Sequence, residues 1–255
     1  MIAVLVRRPL VLWALYVLLL LVLAVTAKAM WPALTSGAAG LSGLQVALQA
    51  VLTVLPLPVA AYLGWRRVGF VRPRHLTVGL FPAATVAFGY VGPWRDQPWT
   101  TTALAVVLVC LVAIGEETAF RGVLLGLLVE RHGVGPAVVV SSVLFGLTHL
   151  VNLALGAALP GVLLQVLFAG LGAAGLAALR MRTGSLWPGI VLHALYDLTF
   201  RVVEVEPGTA FGNTVYGLHG IGWAVFAVVV LRGRTGSARR SAGAAAVTAT
   251  RSPGA

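Results

Sequence analysis

Long apolar stretches alternate with short polar segments along most of the chain. We count eight such stretches, at roughly 9–27, 41–64, 76–92, 101–122, 136–154, 160–179, 186–203 and 214–231. Most are close to the roughly 20 residues that an α-helix needs to cross about 30 Å of hydrocarbon. The alternating segments of about ten residues that are typical of a membrane β-barrel do not occur. The pattern therefore predicts an all-α, polytopic transmembrane helix bundle of about eight spans.

The composition agrees with a lipid environment. Of the 255 residues, 59% are hydrophobic and only 10% are charged, whereas a soluble domain has about 25% charged residues. The formal net charge is +11, but the arginines lie in short clusters between apolar stretches, which is the orientation signal of membrane proteins. We therefore expect membrane lipid, and no nucleic acid, as a partner. The single cysteine, Cys110, allows no intrachain disulfide.

The arginine clusters also predict an orientation. With both termini in the cytoplasm, the inner side receives the basic segments 7–8, 66–74, 131, 180–182 and 232–251, and the outer side keeps only Lys28, Arg95 and Arg201. This asymmetry fits the positive-inside rule for an even number of spans. We divide the chain into a helical bundle, residues 1–233, and a disordered basic tail, residues 234–255. The abundance of Ala, Val, Gly and Arg indicates a bacterium, hence a multi-pass protein of the bacterial plasma membrane.

Six ionisable residues lie in the interior of the predicted spans, flanked by apolar residues on both sides. They are Glu116, Glu117, Arg121, His149, His193 and Asp197. A single Asp, Lys or Arg at the centre of a span costs about 2.5–3.5 kcal/mol, so several such groups must face the bundle interior and one another. His75, His132 and His219 lie at loops or span ends, where we expect solvated or interfacial side chains.

The spacing of these residues suggests how they pair. Glu117 and Arg121 are separated by four positions and can form an ion pair on one helix face. Glu116 points about 100° away and is free to face another helix. His193 and Asp197 lie one turn apart on a shared face. A purely structural network of ion pairs and hydrogen-bonded histidines is the alternative interpretation of the same spacing.

A carboxylate and two imidazoles on three separate helices suit the activation of water. Glu116 can accept a proton from water, and His149 and His193 can hold the water, a metal ion or a developing oxyanion. Together with Asp197, these side chains could also bind a divalent metal such as zinc. The HExxH pattern of many zinc proteases is absent, so spacing does not decide this point.

Three sequence fragments together resemble the CPBP family, which includes the CAAX prenyl proteases and the bacteriocin-processing and self-immunity proteins also called Abi. The family pattern is EExxxR, FxxxH and HxxxN or HxxxD on successive transmembrane helices. The chain has Glu116-Glu117-xxx-Arg121, Phe145-xxx-His149 and His193-xxx-Asp197 in that order. The likeness covers about residues 104–200, the expected catalytic core.

The resemblance implies an intramembrane endopeptidase that hydrolyses a peptide bond near the membrane. Its substrate would be a peptide or a membrane protein, with lipidated ones included. Glu116 would activate the attacking water beside His149 and His193, and Glu117 and Arg121 would orient the site. Asp197 stands where many family members have Asn, so it would orient His193, donate a proton or bind metal. The family is described both as metalloprotease and as glutamate-dependent, and both options stay open.

Two other classes of protein fit the same residues. A proton-coupled transporter also places Glu, His and Asp inside the membrane, although paired interrupted helices in repeated halves are not evident here. A noncatalytic immunity or scaffold protein could keep the same helices without turnover.

Overall fold

The structure, a computed structural model, describes residues 2–30 and 43–232. Within these ranges the chain forms α-helices and no strand, apart from one isolated bridge between Trp94 and Val203. The helices are α1 (Ile2–Leu5), α2 (Pro9–Met30), α3 (Gly43–Val54), α4 (Leu57–Leu63), α5 (Trp65–Val68), α6 (Leu80–Gly89), α7 (Trp99–Glu117), α8 (Leu125–His132), α9 (Val134–Thr148), α10 (Val151–Leu155), α11 (Leu159–Thr183), α12 (Trp187–Val202), α13 (Ala210–Gly217) and α14 (223–232).

Six helical stretches within the described ranges are long and apolar enough to cross a membrane. They are Pro9–Met30, Gln45–Leu63, Trp99–His132, Val134–Leu155, Leu159–Thr183 and Ala210–Arg232. This confirms the prediction of an all-α polytopic bundle. The predicted spans at 76–92 and 186–203 correspond to shorter helices, Leu76–Gly89 and the 16-residue α12. The count of eight spans stays a prediction, and the predicted tail at 234–255 lies outside the described residues.

Two long apolar stretches contain a π-helical segment. Thr118–Leu124 joins α7 to α8, and Leu218–Gly222 joins α13 to α14. π-Helical turns inside α-helices are rare and occur frequently at functional sites. The first of them follows directly after Glu116 and Glu117, so the backbone departs from regular α-helix at the first sequence motif.

Sharp turns and close backbone approaches bring the three motif helices together. Gly133, at φ 77°, ends α8 and starts α9, a conformation that glycine adopts without steric cost. A Cβ at Gly146 would lie only 2.5 Å from the carbonyl oxygen of Val166, so α9 and α11 pack backbone to backbone there. Small residues allow such close packing in membranes. α12 packs against α7 and α11, which places the ends of all three motifs in one interior region.

Candidate active site

Glu117 is the centre of the buried polar cluster. Its side chain is only 1% exposed, and its Oε1 accepts a hydrogen bond of 2.9 Å from Nδ1 of His193 on α12. The same oxygen lies 3.0 Å from Nη1 of Arg121. Because one carboxylate oxygen faces both a guanidinium and an imidazole N–H, Glu117 is held as the charged partner of both. The predicted Glu117–Arg121 pair is confirmed.

The second oxygen of Glu117 faces the first turn of α12. Oε2 is buried and has no hydrogen-bond partner among the described residues. A Cβ at Gly189, in that first turn, would lie 3.1 Å from Oε2. The amino-terminal end of a helix carries a partial positive charge that favours a nearby carboxylate. Gly189 therefore leaves the space in which this carboxylate oxygen lies.

Arg121 is held by charge and by an aromatic ring. The residue is 2% exposed; Nη1 forms the ion pair with Glu117, and Nη2 has no hydrogen-bond partner among the residues described. Its guanidinium carbon lies 4.2 Å from the centre of the Phe145 ring, a cation–π geometry that gains strength when desolvated. The Phe145 ring also meets His149 edge to face at 5.1 Å and His193 at 6.1 Å. Phe145 thus contacts a residue of each of the three motifs.

Two more carboxylates lie on the other side of the His193 ring. Nε2 of His193 is 3.7 Å from Oε2 of Glu116 and 3.6 Å from Oδ2 of Asp197. These separations exceed a direct hydrogen bond and suit a bridging water or a substrate atom. The Glu116 and Asp197 side chains are 28% and 29% exposed, in contrast to the 1% of Glu117. Glu116 and Asp197 are therefore the accessible acids of the cluster, and Glu117 is the enclosed one.

His149 completes the cluster from α9. Its Nδ1 lies 3.1 Å from the carbonyl oxygen of Phe145, one turn earlier, to which a protonated Nδ1 donates. The ring is partly buried, and electrostatic interactions link it to Glu116 and Asp197. With Nδ1 bound to the backbone, Nε2 is the nitrogen that remains for chemistry.

Helix α2 reaches the same region from the periphery. Trp13 donates a hydrogen bond of 3.2 Å from Nε1 to Oγ1 of Thr148, the neighbour of His149. Tyr16 packs edge to face on Phe120 at 6.0 Å and interacts electrostatically with Glu116. These contacts lie far from the motifs in sequence, so the motif spacing gave no signal for them.

The structure shows a contact that the sequence spacing did not indicate, and it corrects one expectation. Nδ1 of His193 donates its hydrogen bond to Glu117, whereas Asp197, which we expected to be a candidate for orienting His193, lies 3.6 Å from Nε2. The expectation for His219 was wrong. It is 3% exposed, because the π-helical segment Leu218–Gly222 carries it into the interior beside Tyr196.

The donor set gives limited support for a metal ion. Both imidazoles have Nδ1 bound to an oxygen, as metal-ligating histidines usually do. Within residues 2–30 and 43–232, however, no group of three or more His, Cys, Asp or Glu side chains is arranged to hold a metal.

Comparison with known protein families gives a match in this region. Residues 98–199 match the family model described as "Rce1-like: Type II CAAX prenyl endopeptidase Rce1-like". The matched segment begins one residue before α7 and ends within α12, so it contains all three motifs and the six ionisable residues of the cluster. No curated protein and no solved structure matches the chain.

Proposed function

We propose that this integral membrane protein, whose residues 98–199 match the CAAX prenyl endopeptidase family model, is an endopeptidase that hydrolyses a peptide bond with a water activated by Glu116. The observation that carries the proposal is the difference between the two adjacent glutamates. Glu117 is enclosed and bound to two partners, whereas Glu116 is partly exposed and faces Nε2 of His193. A general base needs a carboxylate that water can reach, and of the two glutamates Glu116 is the one that is partly exposed.

In the proposed reaction, Glu116 removes a proton from a water molecule as the water oxygen attacks the scissile carbonyl carbon. The carbonyl oxygen becomes an oxyanion, which an N–H of His193 or His149 stabilises. The C–N bond then breaks, and the protonated Glu116 gives its proton to the leaving nitrogen. The products are a carboxylic acid and an amine, and Glu116 returns to its starting state.

The charges of the cluster favour a protonated His193 at this step. Three carboxylates lie around His193; Arg121 pairs with Glu117, and Arg201 interacts electrostatically with Asp197. A proton on His193 would balance the remaining negative charge in a medium that tolerates little net charge. A protonated His193 would donate from Nδ1 to Glu117 and from Nε2 toward the oxyanion.

We assign positioning roles to the residues behind His193. Glu117 holds Nδ1 and so fixes the ring orientation, as carboxylates do for histidines at catalytic sites. Arg121 neutralises Glu117, and Phe145 packs on both Arg121 and the two imidazoles. Asp197, at 3.6 Å from Nε2, is the candidate for orienting the water or, when protonated, for donating to the oxyanion.

The decisive experiment is cleavage of a peptide library by the purified full-length protein, read by mass spectrometry. We expect defined cleavage products from the wild type. Glu116→Gln keeps the shape of the side chain but cannot accept the proton, so turnover should fall by about 10²–10⁴-fold. Turnover is measured per folded molecule, because that separates catalysis from expression.

Three results would contradict the proposal. Equal turnover in the wild type and Glu116→Gln would exclude Glu116 as the base. Binding of peptides without any cleavage would favour a noncatalytic scaffold or immunity protein, and proton-dependent uptake of a solute into vesicles would favour a transporter.

We also propose that both termini lie in the cytoplasm of a bacterial cell. Support comes from the basic segments, which fall on one side of an even number of spans. Reporter fusions after Arg95 and Glu206 should report the outer side, and fusions after Arg72 and Arg182 the inner side. An inner location for the 204–213 loop would overturn the proposed arrangement of the last two spans.

A further inference from the structure

A cavity lined by arginines lies where the segment after α1 meets α4, α5 and α8, away from the carboxylate cluster. Its volume is about 370 Å³, and its wall includes Arg7 after α1, Arg67 of α5 and Arg131 of α8. Glu130 is the one acidic residue among those that line it. Three guanidinium groups and a single carboxylate leave the cavity with a surplus of positive charge.

Two of the three arginines already have hydrogen-bond partners. Arg131 donates from Nη1 to the carbonyl of Leu127 at 2.9 Å and from Nη2 to the carbonyl of Val6 at 3.0 Å. Arg67 forms a two-pronged bond to Glu130, with Nη2 at 2.6 and 2.7 Å from the two carboxylate oxygens. Since both partners are about half exposed, the pair adds little stability and is open to exchange with another anion.

The third arginine is available for a ligand. Arg7 is exposed, and its side chain has no hydrogen-bond or ion-pair partner in the part of the chain that the structure describes. Tyr62 adds a hydroxyl group, and Leu63 and Leu127 add an apolar wall. A polar and cationic cavity with one apolar wall suits an anion attached to a short apolar or glycerol group.

We propose that this cavity binds a phosphate-bearing anion, whether the headgroup of an anionic lipid or a free phosphate. Guanidinium groups match the geometry of phosphate oxygens and are less hydrated than ammonium groups, so they are effective phosphate ligands. Basic pockets between transmembrane helices on the cytoplasmic side are known to bind anionic headgroups. The bound anion would join the N-terminal segment, α5 and α8 through Arg7, Arg67 and Arg131.

The binding is tested on the purified full-length protein in neutral detergent. Soluble dioctanoyl phosphatidylglycerol is titrated while thermal unfolding is recorded, with dioctanoyl phosphatidylcholine as the neutral lipid. We expect only phosphatidylglycerol to raise the unfolding midpoint. Arg7→Gln should weaken its apparent affinity about fivefold, because a juxtamembrane arginine contributes about 1 kcal/mol to binding anionic lipid.

The matched control is Arg66→Gln. Arg66 is exposed on the same short helix as Arg67 but does not line the cavity, so its variant should titrate like the wild type. Every variant keeps the basic residues 234–251, and lipid that binds there contributes equally to all of them. Because Arg131 also bonds backbone carbonyls, Arg7→Gln is the variant that decides.

Inorganic phosphate separates the two sources of the anion. If phosphate gives the same Arg7-dependent rise, the site recognises the phosphate group itself. If only phosphatidylglycerol does so, the lipid headgroup is the ligand. The proposal is overturned if wild type, Arg7→Gln and Arg66→Gln all respond alike to phosphatidylglycerol, or if none of them responds.

Discussion

The two π-helical segments, Thr118–Leu124 and Leu218–Gly222, each carry one buried basic side chain. Arg121 lies in the first and His219 in the second, at 2% and 3% exposure. Both segments are linked to α12. Arg121 of the first pairs with Glu117, which accepts a hydrogen bond from His193 of α12. His219 of the second packs on Tyr196 of α12. The two segments thus present similar backbones and buried basic groups to the same helix.

The surroundings of the two buried basic side chains differ. Near Arg121 lie the carboxylates of Glu116 and Glu117. His219 instead lies between aromatic rings, 4.5 Å from Tyr196 and 5.8 Å from Trp223, and its Nε2 is buried without a hydrogen-bond partner among the described residues. We infer that a π-helical turn with a buried basic group does not by itself make a reactive site. Accessible carboxylates beside it are also needed.

The largest effect on the first segment is expected from Glu117→Gln. This change leaves Arg121 as a buried charge without its carboxylate, and breaking a buried pair in this way typically costs about 3–5 kcal/mol. We expect a lower yield of folded protein and a lower unfolding temperature, together with weaker turnover because His193 loses its charged partner. Thermal unfolding and turnover per folded molecule measure the two effects separately.

The double variant Glu117→Gln/Arg121→Met is the control. It removes the unpaired charge as well, so folding should recover relative to Glu117→Gln, while turnover should stay low. If Glu117→Gln instead folds like the wild type and abolishes turnover, while Glu116→Gln stays active, the two glutamates exchange roles.

The sequence predicts the ion pair but only part of its surroundings. Glu117–Arg121 follows from a four-residue spacing, and the apolar stretches follow from length and hydropathy alone. The bond from His193 to Glu117 joins residues 76 positions apart and depends on how α12 packs against α7. The burial of His219 depends on a π-helical turn, for which its local sequence of small and apolar residues gives no signal.

Gly189→Ala should have a moderate effect on the same segment. The added Cβ would lie 3.1 Å from Oε2 of Glu117, and overpacking of this kind typically costs about 1–3 kcal/mol. Since the displaced carboxylate orients His193, we expect kcat to fall about tenfold, equivalent to about 1.4 kcal/mol, with KM unchanged. Steady-state kinetics on a cleaved peptide give both values.

Gly126→Ala provides the matched control for this substitution. Gly126 lies in α8, and a Cβ there meets nothing within 4 Å. Because alanine is the better helix former by about 1 kcal/mol, this variant should be as active as the wild type and no less stable. If Gly189→Ala behaves in the same way, Glu117 has room to move and its placement does not depend on Gly189.

The smallest effect on turnover is expected at the second π-helical segment, from His219→Phe. His219 and His149 are alike in one respect, since Nδ1 of each lies near the carbonyl oxygen four residues earlier, at 2.8 and 3.1 Å. Phenylalanine can stack on Tyr196 as the imidazole does. The substitution also removes the buried Nε2 that lacks a partner. Phenylalanine is larger than the imidazole and loses the Nδ1 contact, so we expect a cost of about 1–3 kcal/mol in stability and a lower unfolding temperature, while turnover should be unchanged. His149→Phe removes an imidazole beside Glu116, and we expect it to lower turnover by about 10²–10⁴-fold. Turnover per folded molecule compares the two variants directly. A loss of activity in His219→Phe as large as in His149→Phe would extend the reactive site across α12 and remove the distinction between the two segments.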